Sequence, residues 1–202
     1  MSPFYAIRRG IQVCVVAIFV ACGFLLYQQR AALDPVWVLW DAYRNKGSEE
    51  LKTEIATGKV TQVVDPLTVS LQFEHGRYYN LRLAGLVFPP RPQRSDPAYD
   101  QFEKQARERL ATIVSGRAAE IQLLHAYDAQ RGLGVLFVET TNVNALVLRQ
   151  GNAKLKREYI KGLPVREQYD FMRAEQLARK ERLGLWNRES VGKDEPRTPE
   201  LQ

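Results

Sequence analysis

This sequence of 202 residues contains only two cysteines and two histidines, the side chains that most often act as nucleophiles or bind transition metals. The two cysteines, Cys14 and Cys22, lie in one apolar stretch, and the two histidines are His75 and His125. Residues 57–187 therefore contain no thiolate zinc site and no cysteine nucleophile. A site built on histidine would have to use one or both of these two residues. His75 lies in a predicted hairpin tip, so we interpret it as a solvated turn residue.

Three carboxylates cluster near the start of a predicted helix, at Asp96, Asp100 and Glu103. Negative side chains at a helix N-terminus are expected from the helix dipole alone. The sequence also contains no Ser-His-Asp order, no phosphate-binding loop and no His/Glu pair at metal-ligand spacing. We therefore interpret these carboxylates as stabilising the helix and predict no metal site there.

The composition indicates a basic folded domain. Hydrophobic residues make up 45% and charged residues 26%, which excludes wholesale disorder, collagen-like repeats and a polytopic membrane protein. The net charge is +6, and residues 57–187 hold twenty Lys/Arg against fourteen Asp/Glu. Such an excess is compatible with nucleic acid, an acidic partner or anionic lipid, and it selects none of them.

An uncharged segment from Gly10 to Gln29 follows a short N-terminal segment, residues 1–9. Its dense apolar part, about 18 residues, would rise ~27 Å as a helix and could cross a hydrocarbon core of ~30 Å. We therefore predict a single transmembrane helix at 10–29. The alternative is a cleaved signal peptide, but the apolar run continues beyond the candidate cleavage site at Cys22. Positive charges nearly balance across the segment, and we expect the domain outside.

Residues 30–55 are predicted to form a juxtamembrane helix and linker. Asp34-Pro35 is typical of a helix N-cap followed by proline, which predicts a helix over 36–46. The aromatic residues spaced along one face of this helix are Trp37, Trp40 and Tyr43. Aromatic residues just outside a spanning segment favour the headgroup layer. Packing of this face on the domain or on a neighbouring subunit is the other interpretation, and both stay open.

Residues 56–187 alternate between β-rich and helical patterns in the order three strands, helix, two strands, two helices. This order predicts an α+β fold, a five-stranded barrel of the oligonucleotide/oligosaccharide-binding (OB) type with three helices. The predicted strands are 57–64, 67–73, 77–86, 118–125 and 132–139, and the predicted helices begin at 97, 144 and 165. Residues 188–202 are polar with two prolines, so we expect a disordered tail.

Helical spacing also predicts which faces of the two long helices are buried. The expected inner residues of the first are Tyr99, Phe102, Ala106, Leu110 and Ile113, and those of the last are Val165, Tyr169, Met172 and Leu177. Gly184 is expected to end the last helix, after which Leu185-Trp186 turns back onto the core.

Several short motifs carry a resemblance to a known family. They are Asp65-Pro66-Leu67-Thr68-Val69, Arg82-Leu83-Ala84-Gly85-Leu86, Arg131-Gly132-Leu133-Gly134, Val143-Asn144 through Asn152-Ala153, and Arg182-Leu183-Gly184-Leu185-Trp186. Together with the order of elements, they resemble the staphylococcal nuclease (thermonuclease-like) family over about residues 56–187. The resemblance implies the OB-type barrel already expected from the pattern.

Active members of that family hydrolyse DNA and RNA phosphodiester bonds with one calcium ion. The resemblance places two metal ligands at the positions of Leu67 and Val87, and a proposed general base at Pro90. Of the acidic set only Asp65 matches. Leucine and valine supply no oxygen ligand and proline takes no proton. We therefore expect no nuclease activity, no bound metal and no cofactor.

Two arginines that clamp the phosphate in the family match Arg82 and Arg131. One interpretation is a residual anion site formed by these arginines with Asp65. The other, which we favour, is that one of them pairs with Asp65 or Asp128 and ties loops together. The stretch Lys154–Lys161 is also basic, and a solvated charged face explains it.

These observations favour a catalytically inactive, membrane-anchored domain that serves as a structural or accessory subunit of a membrane complex. A similar layout occurs in some mitochondrial inner-membrane proteins, so we expect that membrane, with respiratory-chain or ATP-synthase assemblies as the type, and a bacterial inner membrane as the alternative. Expected partners are other subunits and membrane lipids. Binding of nucleic acid or anionic lipid is the second hypothesis, and an active membrane-anchored nuclease is the third.

Overall fold

The computed structural model describes residues 30–47, 54–74, 76–92 and 96–188. The chain divides into two compact units between Trp40 and Asp41. The predicted segments 1–9 and 10–29, the tail from residue 189 onward and His75 lie outside the described residues. Within the described ranges, no helix combines the length and the apolar character needed to cross a membrane.

Helix α1 covers Arg30–Asn45, so the expected start at Asp34-Pro35 is wrong. Pro35 lies inside the helix and has no N–H to donate to the carbonyl of Ala31. Proline is tolerated near a helix start, but its presence there does not fix where the helix begins. The signal therefore marked a helix correctly and placed its first residue too late.

The described strands confirm the predicted order, with three very short additions. They are β1 (Glu54–Asp65), β2 (Thr68–Gln72), β3 (Tyr78–Leu83), β4 (Leu86–Val87), β5 (Ala118–Asp128), β6 (Arg131–Val138), β7 (Thr141–Asn142) and β8 (Lys154–Leu155). The five long strands form a closed barrel in the order β3-β2-β1-β5-β6, and the two-residue β7 extends β6. Strand β1 begins two residues before the domain start expected at residue 56.

Closure of the barrel depends on one parallel pairing between β3 and β6, from Asn80 opposite Arg131 to Leu83 opposite Gly134. All other pairings along the barrel are antiparallel. Alternation along each strand sends Val69, Leu71, Leu81 and Leu83 into the barrel, where each is fully buried. The fold is therefore the expected α+β barrel with helices.

Helices follow the third long strand and the last one, as predicted. They are α2 (Pro97–Val114), α3 (Val143–Arg149), a 3-10 turn (Arg157–Ile160), α4 (Val165–Lys180) and the four-residue α5 (Leu185–Arg188). Asp96 caps α2, because its carboxylate accepts a hydrogen bond of 2.9 Å from the Ala98 N–H. Phe102, Ala106 and Leu110 are buried on the expected face of α2, which Val114 completes.

The buried face of α4 differs from the predicted apolar stripe. Of the four expected residues only Met172 is buried, whereas Val165, Tyr169 and Leu177 are half-buried. The buried residues of α4 are Gln168, Phe171, Met172, Ala174, Glu175 and Ala178. Two polar residues belong to this face because they hydrogen-bond to buried backbone groups, which a hydrophobic pattern does not register.

The C-terminal turn docks as expected. Leu185 is 8% and Trp186 7% exposed, and the Leu185 N–H donates to the carbonyl of Gly151 at 2.9 Å. The Arg179 guanidinium lies 3.9 Å from the centroid of the Trp186 ring. Gly151 and Gly184 both have positive φ angles, 68° and 53°, which let the ends of α3 and α4 approach closely.

Candidate functional site

The turn between β1 and β2 is where the resemblance implies the first acidic position, and Leu67 occupies that position. The Leu67 side chain is 1% exposed and belongs to the core. The neighbouring Asp65 carboxylate accepts a 2.7 Å hydrogen bond from the Leu67 N–H. This contact closes the turn in the way Asx residues commonly do. Asp65, the one acidic residue that matches the family's set, therefore hydrogen-bonds to the backbone of its own turn.

The second acidic position lies in the short strand β4, where Val87 pairs with Lys154 of β8. Val87 is half-buried and Pro90 is exposed. A hard divalent cation requires several oxygen ligands. Since Leu67, Val87 and Pro90 supply none from their side chains, the residues present at these positions do not fit a calcium ion.

Arg82 lies on the outer face of the barrel in a row of paired residues. Asp65 lies opposite Thr68, Thr68 opposite Arg82, and Arg82 opposite Leu133. Side chains that lie opposite one another on adjacent strands share a face of the sheet. Arg82 is exposed, and its guanidinium makes no ion pair with any of the residues that the structure describes.

Arg131 lies on the same face, opposite Asn80, and its guanidinium forms an ion pair with a neighbouring carboxylate. Its Nε donates to the Asp128 carboxylate at 2.7 Å, and the Gln130 N–H donates to the same carboxylate at 2.8 Å. The Gln130 N–H, followed by the Arg131 guanidinium, holds the pKa of Asp128 below its usual value. Of the two interpretations of the arginines, the structure shows loop pairing for Arg131 and leaves Arg82 without an ion pair in the described part.

The carboxylate cluster at the start of α2 is likewise paired. Arg91 contacts Glu103 at 2.6 Å and Asp100 at 3.4 Å, and the hydrogen bond that its guanidinium donates to the Glu103 carboxylate raises the pKa of Arg91. These residues line a pocket of about 250 Å³ that also includes Asp65. Among the described residues, no group of three or more His, Cys, Asp or Glu side chains is placed to hold a metal ion.

The basic stretch Lys154–Lys161 is more structured than a solvated face. Lys156 donates to the Tyr159 hydroxyl at 3.0 Å, and Lys154 lies 5.4 Å from the centroid of the Trp186 ring. Arg157 contacts Asp41 at 3.6 Å. The stretch therefore combines cation–aromatic and cation–carboxylate contacts, while Tyr159 itself remains 51% exposed.

Helix α1 carries apolar residues on two faces. Val38 and Ala42 are buried, at 7% and 0% exposure. The exposed large side chains of the helix are Val36, Trp37, Leu39, Trp40 and Tyr43, between 51% and 66% exposed. The predicted aromatic face is thus exposed in the described structure, and Val36 and Leu39 extend it.

The sequence analysis did not identify the structural role of the buried residue Asn144. Asn144 is fully buried, donates to the carbonyls of Ala84 and Gly134, and accepts from the Leu136 N–H. It thereby ties β6 to the turn after β3. In the sequence, Asn144 stood out as part of the motif Val143–Ala153, which indicated the family resemblance but not these hydrogen bonds.

A five-stranded closed barrel with this helix order, and with paired arginine positions on its outer face, defines a nuclease-like OB barrel. The family model described as staphylococcal nuclease homologue matches residues 80–188. That range is more than half of the chain, so the chain belongs to this family. No curated protein matches the chain.

Proposed function

We propose that this chain is a membrane-anchored member of the family that has lost the nuclease chemistry. In this proposal it acts as a structural or accessory subunit of a membrane protein complex. The mitochondrial inner membrane, with a respiratory-chain or ATP-synthase type of assembly, is the favoured setting. A bacterial inner membrane is the alternative. The barrel is retained because it is a stable platform for contacts, not because it cleaves phosphodiester bonds.

One observation carries the proposal: α1 exposes a continuous apolar face while its opposite side is already buried. Soluble monomers rarely leave several large apolar side chains exposed together, and such patches mark interaction sites. The described helix covers Arg30–Asn45, and the uncharged stretch 10–29 precedes it in the sequence. In this proposal the exposed face meets a headgroup layer or a neighbouring subunit at the membrane surface.

The degenerate acidic positions support the inactive part of the proposal. Two of them, Leu67 and Val87, carry aliphatic side chains, and the third is Pro90. General acid–base help contributes roughly 10²- to 10⁴-fold to such reactions and requires a proton-transferring side chain in place. A domain that keeps its fold and loses these groups has binding as its remaining task.

The test is native gel electrophoresis of membranes solubilised in mild detergent. Wild-type protein should migrate in a large assembly with stoichiometric partners. A variant with Trp37→Ser, Trp40→Ser and Tyr43→Ser should be released from it, because the apolar face is removed. The matched control is Tyr78→Ser with Tyr127→Ser, which removes two exposed aromatic side chains from the barrel and should leave the assembly intact.

Migration of the wild-type protein only as a monomer or small homodimer would contradict the subunit proposal. Release by the barrel variant and not by the α1 variant would place the interface on the barrel.

Binding of nucleic acid or another anion by the barrel is the second candidate function. The observation that favours it is the exposed Arg82 guanidinium, which makes no ion pair in the described part of the chain. The pairing of Arg131 with Asp128 weighs against it, since a two-arginine clamp would first have to break that contact. An Arg82→Gln variant that lost affinity for a single-stranded oligonucleotide would support this second function.

A further inference from the structure

A cleft lies at one end of the barrel, where the turn between β2 and β3 meets the turn between β5 and β6. Its volume is about 390 Å³, which falls within the range of small-molecule sites. Arg82 and Arg131 are not among the described residues that line it, so the cleft is separate from the two arginines that match the family's phosphate clamp. The described lining residues are Gly76, Arg77, Tyr78, Asn80, Ala129 and Gln130.

Backbone hydrogen bonds hold both turns of the cleft in place. In the first turn, the Phe73 N–H donates to the Arg77 carbonyl at 3.0 Å, and the Gly76 N–H donates to the Phe73 carbonyl at 2.9 Å. The Asn80 N–H donates to the Gln130 carbonyl at 2.7 Å, which joins the second turn to β3. Because these walls are already fixed, a ligand can bind with little ordering of the chain, and such ordering is a main cost of binding.

The polar side chains of the cleft are available to a ligand. Within the described ranges, they take part in no ion pair and no hydrogen bond; they are those of Arg77, Tyr78, Asn80 and Gln130. Tyr78 is also 59% exposed. A guanidinium offers a planar fork of donors, and each amide can donate and accept at once. The cleft therefore presents one cation, two amides and an aromatic ring.

The charge around the cleft favours a ligand with one negative charge. Arg77 is the one cation among the described lining residues, and at the second turn Arg131 and Asp128 form an ion pair at 2.7 Å. Two cations and one carboxylate leave a net charge of +1. Glu74, in the first turn, lines a different cleft together with Lys59. A single carboxylate matches the charge and the fork of one guanidinium, whereas a dianion such as inorganic phosphate exceeds that charge.

The uncharged part of the cleft suits a flat ring. The exposed ring of Tyr78 offers a surface on which a second aromatic ring can pack in an offset or tilted arrangement. Gly76 and Ala129 carry no bulky side chain, so the walls leave room for that ring. The amides of Asn80 and Gln130 complete the lining, and a hydroxyl group can donate to one amide and accept from the other.

We propose that this cleft binds a small aromatic carboxylate that carries a hydroxyl group. The Arg77 guanidinium holds the carboxylate, and the ring of the ligand packs on Tyr78. The hydroxyl group hydrogen-bonds to the amides of Asn80 and Gln130. This inference goes beyond the proposed function, because it needs neither the membrane anchor nor a partner subunit. Ligand binding and assembly can therefore fail independently in their respective tests.

The test uses the full chain in mild detergent and follows the signals of the ligand by NMR during a titration. The probe is 4-hydroxyphenylacetate, and the neutral ligand of the same shape is 4-hydroxyphenylacetamide. The amide should bind at least about tenfold more weakly, since it loses the charge-assisted hydrogen bonds to Arg77. Inorganic phosphate at the same concentration should not displace the probe.

The charge variant is Arg77→Gln, which keeps the turn because only the Arg77 carbonyl takes part in its hydrogen bonds. This variant should bind the carboxylate at least about tenfold more weakly and the amide unchanged. Asn80→Ala with Gln130→Ala should bind 4-hydroxyphenylacetate no better than phenylacetate, because the partners of the hydroxyl group are gone. The matched control is Lys59→Gln, which removes an exposed cation from the neighbouring cleft and should leave both affinities unchanged.

Equal affinity of the wild-type chain for the carboxylate and the amide would overturn the inference, and this comparison requires no variant. Unchanged affinity of the Arg77→Gln variant for the carboxylate would overturn it as well. Equal weakening by Lys59→Gln would contradict it, because binding would then follow net charge and not the cleft. Displacement of the probe by inorganic phosphate would also contradict it and would reassign the cleft to inorganic anions.

Discussion

At the scale of single residues, the most unusual ionisable group of the described domain is Glu167 in the first turn of α4. Its Oε2 atom is buried and has no hydrogen-bond partner among the described residues. Burial raises the pKa of this carboxyl, a hydrogen bond from Gln122 opposes the shift, and Asp170 adds to it. The folded domain therefore holds a proton on Glu167 more tightly than the unfolded chain does.

This shift predicts a pH dependence of stability. Because the folded pKa is raised, the extra stability is present in acid, below the unfolded pKa, and is lost as the pH rises through the folded pKa. Glu167→Gln removes the charge with little change of shape and should stabilise the protein at pH 7, by about 1 kcal/mol. At pH 4 the melting temperatures of the variant and the wild type should converge.

Thermal unfolding at several pH values measures this effect, with Glu108→Gln on the exposed side of α2 as the control. A Glu167→Gln variant that was less stable than the wild type at pH 7 would show that the charge has a partner. A constant difference between pH 4 and pH 7 would show that titration of Glu167 is not involved.

Residue-level reasoning from the sequence is clearest where side-chain identity alone decides the chemistry, and the loss of nuclease chemistry stays a prediction. Leu67, Val87 and Pro90 lack the groups that a calcium-dependent nuclease needs, whatever surrounds them. The sequence did not identify Glu167, Gln168 or Asn45 because their roles depend on which polar atoms the folded chain buries. No local pattern encodes a hydrogen bond between residues 45 and 168.

At the scale of secondary-structure elements, the contact between the ends of α3 and α4 depends on glycine. Gly151 has a φ of 68°, and a Cβ atom there would overlap the backbone carbonyl of Leu183. Gly116, after α2, has a similar φ of 72°, but a Cβ atom there would meet nothing within 4 Å. An alanine at position 116 would therefore experience only backbone strain, whereas an alanine at position 151 would also overlap a neighbouring backbone.

Gly116→Ala should cost about 1–2 kcal/mol, the penalty for a non-glycine residue in the left-handed region. Gly151→Ala should cost roughly 1–3 kcal/mol more, because the backbones of the two segments must also move apart. Chemical denaturation of the two variants measures both values. Equal losses at the two positions would contradict the close approach of α3 and the chain before α5.

Prediction at the element scale was accurate where caps and alternation are strong. Asp96-Pro97 marked the start of α2, and the long strands have nearly the expected bounds. It failed for α1, whose proline lies inside the helix, and for α4, where Gln168 and Glu175 occupy the buried face. In α4 the hydrogen bonds of these two side chains to backbone groups outweighed the apolar pattern, whereas in α1 a proline near the helix start did not fix where the helix begins.

At the scale of the whole molecule, the barrel and its helices were predictable, and the pairing that closes the barrel was not. The strand order follows from alternating patterns and family motifs, whereas the parallel contact of β3 with β6 joins residues about fifty positions apart. That contact places Arg82 and Arg131 on one outer face. The same face carries Asp65, whose carboxylate accepts a hydrogen bond from the Leu67 N–H of its own turn.

The proposed loss of nuclease chemistry from a retained nuclease-like fold can be tested by one assay. The most direct measurement is cleavage of single-stranded DNA by the full chain in mild detergent, with calcium and with a chelator. We predict no calcium-dependent cleavage above that of an Asp65→Ala, Arg82→Ala variant, since Leu67, Val87 and Pro90 supply neither ligands nor a base. Calcium-dependent cleavage by the wild-type chain that disappeared on Asp65→Ala would contradict the claim.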